Sequence, residues 1–250
     1  MDRTIARLDG EAGRSARDGY REELGSRRRA FARCSVAAVV AAGLAWVAVC
    51  SAGDTRRAAA GGAVAALLYA LWRRPKPDPQ RWLRGSAGEI ATARMLDRLP
   101  ERKWAVMHDL GVPGSRSNID HLVIGPTGVW VIDTKTTRGG ARRVIGGVRL
   151  GNRRLDTGPV RFEGSVVEDR LGTRTRTAVA VHCVGLRRRG VRSGGVRVVP
   201  ADALVDLVAR RAWAPWRRRL GRSEVHRLAR LAESQFPPAG CSGRTGGWYR

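Results

Sequence analysis

Asp120, Asp133 and Lys135 are the residues whose types and spacing could do chemistry. From Ile119 the chain reads Ile-Asp-His-Leu-Val-Ile, then Gly-Pro-Thr-Gly, then Val-Trp-Val-Ile-Asp-Thr-Lys. Two apolar runs around a Gly/Pro turn predict a β-hairpin. With the turn at Gly125 to Gly128, Ile124 faces Val129, Leu122 faces Val131 and Asp120 faces Asp133. Alternation of side chains then puts both aspartates and Lys135 on one face. Like charges opposed in a sheet repel, with β carbons about 5 Å apart. A divalent cation is the usual compensation, which would make Asp120 and Asp133 metal ligands. The plainer alternative is a strand end whose aspartates are simply solvated, as most are.

Lys135 adds to the case. Only Lys76, Lys103 and Lys135 are lysines among 47 basic residues. A chain so biased toward arginine would fill an ordinary solvated position with Arg. Lysine offers a compact ammonium that can sit beside an attacking water, which the planar guanidinium does less well. Chance retention is the competing reading.

The elements around the hairpin must position it. Ser86-Ala-Gly-Glu89 has the S-x-x-E form of a capping box, predicting a helix from there to about Leu99. On spacing alone Glu89 is then a first-turn acid favoured by the cap and the helix dipole. Trp104 to Leu110 is the expected first strand. Beyond the hairpin, Gly139 to Arg154 suggests an extra hairpin around Gly146-Gly147, and Val160 to Leu171 is weakly helical. Ala178 to Leu186 and Val196 to Val199 read as strands, the second as the closing strand of the sheet. Ala203 to Arg211 and Ser223 to Phe236 read as amphipathic helices, and the Pro/Gly-rich tail 237–250 as flexible.

Gly88-Glu89, Asn118-Ile119-Asp120-His121 and Ile132-Asp133-Thr134-Lys135 together resemble the NERD family, the nuclease-related domain, similar in turn to the PD-(D/E)XK nucleases. The resemblance is close from Gly85 to Gly140 and looser to residue 236. It implies an α/β, restriction-endonuclease-like fold, a mixed β-sheet flanked by helices. It matches Glu89 to the helix carboxylate, Asp120 to the first strand carboxylate, and Asp133 with Lys135 to the D-x-K pair. The implied activity is Mg²⁺- or Mn²⁺-dependent cleavage of nucleic-acid phosphodiester bonds. Glu89, Asp120 and Asp133 would hold the ion, and Lys135 would act on water or offset charge. No Gln-containing helix after the hairpin is evident in the sequence.

The whole chain bounds what partners fit. Its net charge of +25 calls for an anionic partner, nucleic acid (DNA or RNA) or a membrane surface, although a general bias toward arginine would raise charge without any ligand. Cys34, Cys50, Cys183 and Cys241 have no C-x-x-C spacing, so neither a zinc site nor a disulfide framework is indicated. His108, His121, His182 and His226 lack ligand spacing and read as structural or surface residues.

Residues 1–33 form a basic, polar lead. Cys34 to Gly53 carries no charge and is long enough for about 30 Å of hydrocarbon. Ala58 to Trp72 is a second apolar run, about 22 Å as a helix and short for a crossing. A transmembrane hairpin over 34–72 is the expectation, against a pair of buried soluble helices. Arginines flank both spans and are sparse between them, so the positive-inside rule puts both termini and the C-terminal domain in the cytoplasm. Residues 73–84 make a Pro/Arg linker and 85–236 the nuclease-like domain. Two rival functions stand beside the enzyme. One is a non-catalytic, membrane-tethered nucleic-acid-binding or scaffold module, favoured by the missing Gln helix. The other is a lipid-binding protein resting on the basic linker, which leaves the opposed aspartates unexplained.

Overall fold

The computed structural model describes residues 80–210 and 219–239, with a few isolated positions between Arg21 and Val64. The apolar runs 34–53 and 58–72 lie outside the described residues, apart from single positions. Of these, Val36, Val40, Val47 and Val64 are helical and 49–65% exposed. Among the described residues no helix is long and apolar enough to cross a membrane. The chain divides into two compact units, Asp18–Trp82 and the remainder, and the latter, which includes Leu83–Arg250, carries the sheet.

Helix α1 spans Gln80–Leu96. Ser86 therefore lies inside the helix, buried, and the capping box read from Ser86 and Glu89 is not formed. Three strands follow as an antiparallel meander: β1 (Ala105–Gly111), β2 (Asn118–Gly125) and β3 (Gly128–Thr136). The hairpin has the register expected from its turn, with Ile124 opposite Val129 and Leu122 opposite Val131. Gly125 is required there, because a Cβ would overlap the Trp104 ring.

A small antiparallel sheet comes next, β4 (Ala141–Val144), β5 (Gly147–Leu150) and β6 (Arg153–Arg154). Helix α2 (Gly158–Leu171) then leads to β7 (Thr175–His182), which lies parallel to β3. Strand β8 (Val191–Ser193) and β9 (Val196–Pro200) complete the main sheet in the order β1-β2-β3-β7-β9-β8. Thus β9 does not close the sheet as its sequence suggested. It pairs with β7 on one side and, through a tight glycine turn at Gly194-Gly195, holds β8 at the edge. The parallel centre is buried on both faces, which is why Ala178-Val-Ala-Val181 is continuously apolar.

Helices α3 (Leu204–Ala209) and α4 (Arg222–Gln235) end the described chain. One apolar core joins α2 and α4 to a sheet face bearing Val129, Val131 and Val179. The other joins α1 and α3 to the opposite face, with Trp130, Ile132 and Ala178. Residues 237–239 are not loose: Pro237 O accepts from Gly111 N, and Ala239 N donates to Asp109 O, each at 2.7 Å. The free edge of β1 offers unpaired backbone groups, and this short segment satisfies them. Residues 240–250 lie outside the described residues.

Candidate active site

Asp120 is the point at which β2 parts from both neighbours. The β1–β2 ladder skips the pair Asp109–Asp120, and the β2–β3 ladder stops at His121–Ile132. Asp109 sits at φ 51°, a conformation that short polar side chains tolerate better than most. Its carboxylate accepts a hydrogen bond from Asn118 Nδ2 at 3.0 Å. Past the break, the N–H of Thr134 donates to Asp120 Oδ2 at 2.7 Å. A side-chain oxygen thus replaces the backbone carbonyl that a continued ladder would supply, and the hairpin opens where its acids lie.

The opened end collects charge from both sides of the sheet. Asp133 and Lys135 lie on β3, and Lys135 Nζ donates to Asp133 Oδ1 at 2.5 Å. Asp133 is buried, whereas the Lys135 side chain is 43% exposed. From the other face comes Glu89, on α1. Gly88 beside it allows the approach, since a Cβ there would overlap Thr136 Oγ1 and also meet Thr134 and His182. The Gly88-Glu89 pair is thus a contact point for the helix on β3, followed by the acid that the contact delivers.

Glu163 is a fourth carboxylate that the sequence reading missed. A helix does follow the hairpin, α2, and the polar group it turns toward Asp133 and Lys135 is an acid. Glu163 is 6% exposed and takes no hydrogen bond from any described residue. Its neighbour Gly164 permits the close packing, because a Cβ there would overlap Thr177 on β7. An acid followed by glycine in a weakly amphipathic helix was the available signal. It repeats in reverse the Gly-Glu pair of α1.

Burial dominates the electrostatics. It raises Glu89 to about 7, with Asp109 adding to the effect, Lys135 opposing it and Asp133 adding further. Glu163 is likewise raised to about 7 by burial and Asp133, against the pull of Lys135. Asp120 is pushed well above the usual carboxylate range by burial, Asp133 and Glu89, despite Lys135 and the Thr134 N–H. Asp133 is raised by burial, less the stabilisation from Lys135. Burial alone would lower the Lys135 pKa, but Asp133 and Asp120 outweigh it and the ammonium is held. Four acids share one nearby lysine, so the site is short of positive charge.

An all-oxygen donor set suits a hard cation such as Mg²⁺ or Mn²⁺ in chemical type. As they stand, however, no three Asp, Glu, His or Cys side chains among the described residues are gathered to hold an ion. Asp133 gives one oxygen to Lys135, and Asp120 gives one to Thr134.

Behind the hairpin, on the α1 face, a buried polar chain fixes Thr134. His121 Nε2 lies 3.1 Å from Thr134 Oγ1, and His121 Nδ1 lies 2.8 Å from His108 Nδ1. One of those facing nitrogens must carry a proton and the other accept it. His108 Nε2 continues to Asp97 at 3.4 Å. Burial, His108 and His182 hold His121 neutral, well below the ordinary imidazole range. Both His108 and His121 are buried.

Comparison with known proteins bears on the same segment. Residues 84–165 match the model of NERD, the nuclease-related domain. The matched segment contains every acid named above and Lys135. It ends inside α2, just past Glu163. An uncharacterized protein of Bacillus anthracis is 38% identical over 77 residues, covering 30% of this chain and 36% of that relative. The chain thus aligns with little more than a third of the relative's length. No solved structure matches the chain.

Proposed function

We propose that this chain is a membrane-anchored, metal-dependent nuclease that cleaves phosphodiester bonds of nucleic acid. A nuclease-related function follows from the NERD match. The observation that supports chemistry at this site is the parting of the hairpin at Asp120, which leaves four buried or half-buried acids around one ammonium. Such a cluster gains from binding a cation, because each carboxyl is otherwise forced toward its neutral form.

In this reading Asp120, Asp133 and Glu89 hold Mg²⁺ or Mn²⁺. When bound, the ion supplies Lewis-acid polarisation of the scissile phosphate. Lys135 stays protonated throughout, so it serves as a fixed positive charge that stabilises the developing oxyanion. Glu163, with a proton affinity near neutrality, is matched to take a proton from the attacking water. Arg138, Arg142, Arg143, Arg153 and Arg154 track the phosphate backbone without reading sequence. The uncharged run 34–53, with 58–72, supplies the anchor, and the arginine distribution keeps both termini and the nuclease-like domain in the cytoplasm. A C-terminal reporter fusion should then read cytoplasmic, and an external signal would overturn that topology.

A second reading has its own support: the acids are not gathered as a ready-made metal cluster. A binding module on the same fold would bind nucleic acid and leave it intact. The test is incubation of the full chain with labelled single- and double-stranded DNA and RNA, in Mg²⁺, Mn²⁺ or chelator. Cleavage that needs the ion and is lost in Asp133→Ala supports the enzyme. Binding without cleavage by the wild type in every condition supports the module.

A further inference from the structure

Between Thr136 and Asp156 the chain holds six arginines and no acid. This segment forms the β4–β5–β6 sheet, which grows from the C-terminal ends of β3 and β7. Thr137 N donates to His182 O, and Ala141 N donates to Val184 O at 2.9 Å. The sheet is therefore rooted a few residues beyond Lys135. Its inner side, with Ala141, Val148 and Leu155, is part of the main core. Arg142, Arg143, Arg153 and Arg154 are all exposed; by register Arg142 and Arg154 share the outer face with Arg149, while Arg143 and Arg153 fall on the face of Val148 and Leu150.

The tip is unusual for such a surface. Val144 pairs with Gly147, leaving Ile145-Gly146 as a two-residue turn. Gly146 adopts φ 73°, the conformation a type II turn needs at its third residue. Ile145 precedes it and is 99% exposed. Turn positions of this kind are usually filled by polar residues or proline. The tip is also braced: Arg154 Nη2 donates to Gly146 O at 2.7 Å and to Ile145 O at 3.2 Å. An apolar side chain is thus held out on a braced turn beyond the arginines of β4 and β6.

We propose that the β4–β6 sheet is a nucleic-acid-binding wing whose tip, Ile145, wedges into the base stack of a duplex. The proposal rests on the nucleic-acid reading above and adds a substrate class, base-paired nucleic acid that is opened on binding. Charge complementarity fits this partner, since arginines on an acid-free hairpin match two phosphate backbones. Apolar side chains inserted between base steps are a known way to kink and unstack a duplex, and a β-branched side chain on a braced turn loses little freedom in doing so.

The test uses the full chain in chelator, so that binding is read without cutting. The probe is a fluorescein-labelled duplex carrying 2-aminopurine, which brightens when unstacked. The wild type should bind and raise 2-aminopurine emission at least about twofold. Ile145→Ser should bind within about threefold of wild type yet lose that rise. Arg142→Gln with Arg143→Gln should make the salt dependence shallower by about two counterions. Equal brightening by wild type and Ile145→Ser, or wild-type binding with no brightening, overturns the proposal. So does Ile145-dependent binding to phosphatidylserine vesicles without effect on the duplex, which assigns the tip to lipid. No duplex binding at low salt defeats the nucleic-acid reading as well. Brightening by a chain that never cuts in Mn²⁺ defeats the nuclease reading while leaving the wedge intact.

Discussion

Replacing Glu163 by glutamine should stabilise the protein while slowing it. The Glu163 carboxyl is raised from 4.5 to about 7, chiefly by burial. Between those values the folded protein keeps a proton that the unfolded chain has released. Stability therefore falls as pH rises through that window and stays low above it. At about 1.4 kcal/mol per pH unit, the ionised fold is destabilised by roughly 3 kcal/mol. At 6% exposure there is little solvent to screen this. Glutamine keeps the size and removes the charge, though its buried amide without a partner costs about 1 kcal/mol. The net gain is about 2 kcal/mol at pH 8, or roughly 4–8 °C in Tm for a chain of this size. At pH 4, where Glu163 is already neutral, the gain should vanish. Thermal melts of wild type and Glu163→Gln at both pH values, without divalent ions, measure this. A variant no more stable than wild type at pH 8, or one stabilised equally at pH 4, would refute the reasoning. Loss of cleavage in this more stable variant is the expected counterpart of its role toward water.

Other perturbations follow from the same geometry. Gly88→Ala should push α1 off β3 through overlap with Thr136, costing about 1–3 kcal/mol in denaturant titration and weakening cation uptake by displacing Glu89. His121 is held neutral well below 6.5, so below that pH the unfolded chain takes a proton that the fold refuses. His121 thus contributes a loss of stability as pH drops, opposite in sign to the contribution of Glu163. His121→Asn, less stable overall, should lose most of that acid slope in a pH series of melts; an unchanged slope would contradict the assignment. Ending the chain at Phe236 rather than Ala239 removes the 2.7 Å hydrogen bonds to Gly111 and Asp109. It should cost about 2 kcal/mol in urea unfolding.

The hairpin was legible because three signals agreed: apolar runs, a Gly/Pro turn, and a turn position that set the register. Of the small sheet, only a hairpin was legible, from its Arg/Gly-rich stretch; its turn is Ile145-Gly146, one residue earlier than expected, and β6 adds a third strand. The α1 start was not legible, because Ser86-x-x-Glu89 satisfies a local capping rule while the helix already includes residues from Gln80 on. A capping pattern is short-range, and packing of α1 on β3 overrides it. Strand β8 is too brief to show a period. The hold on residues 237–239 is made by backbone groups of β1, which side-chain pattern cannot reveal. Glu163 escaped because charge in a weakly apolar helix ordinarily means solvent. Only the tertiary packing at Gly164 turns it inward.

The central claim is that Glu89, Asp120 and Asp133 form a cation site beside Lys135. Calorimetric titration of Mn²⁺ into the full chain at pH 7.5 tests it without requiring a substrate. Wild type should take up the ion with release of protons, because the site holds carboxyls raised to about 7. Asp133→Asn should bind far more weakly, and Lys135→Ala should bind as well as or better than wild type, because Asp133 is freed from its ammonium. No Mn²⁺ uptake by the wild type, or the same uptake by Asp133→Asn, would contradict the account.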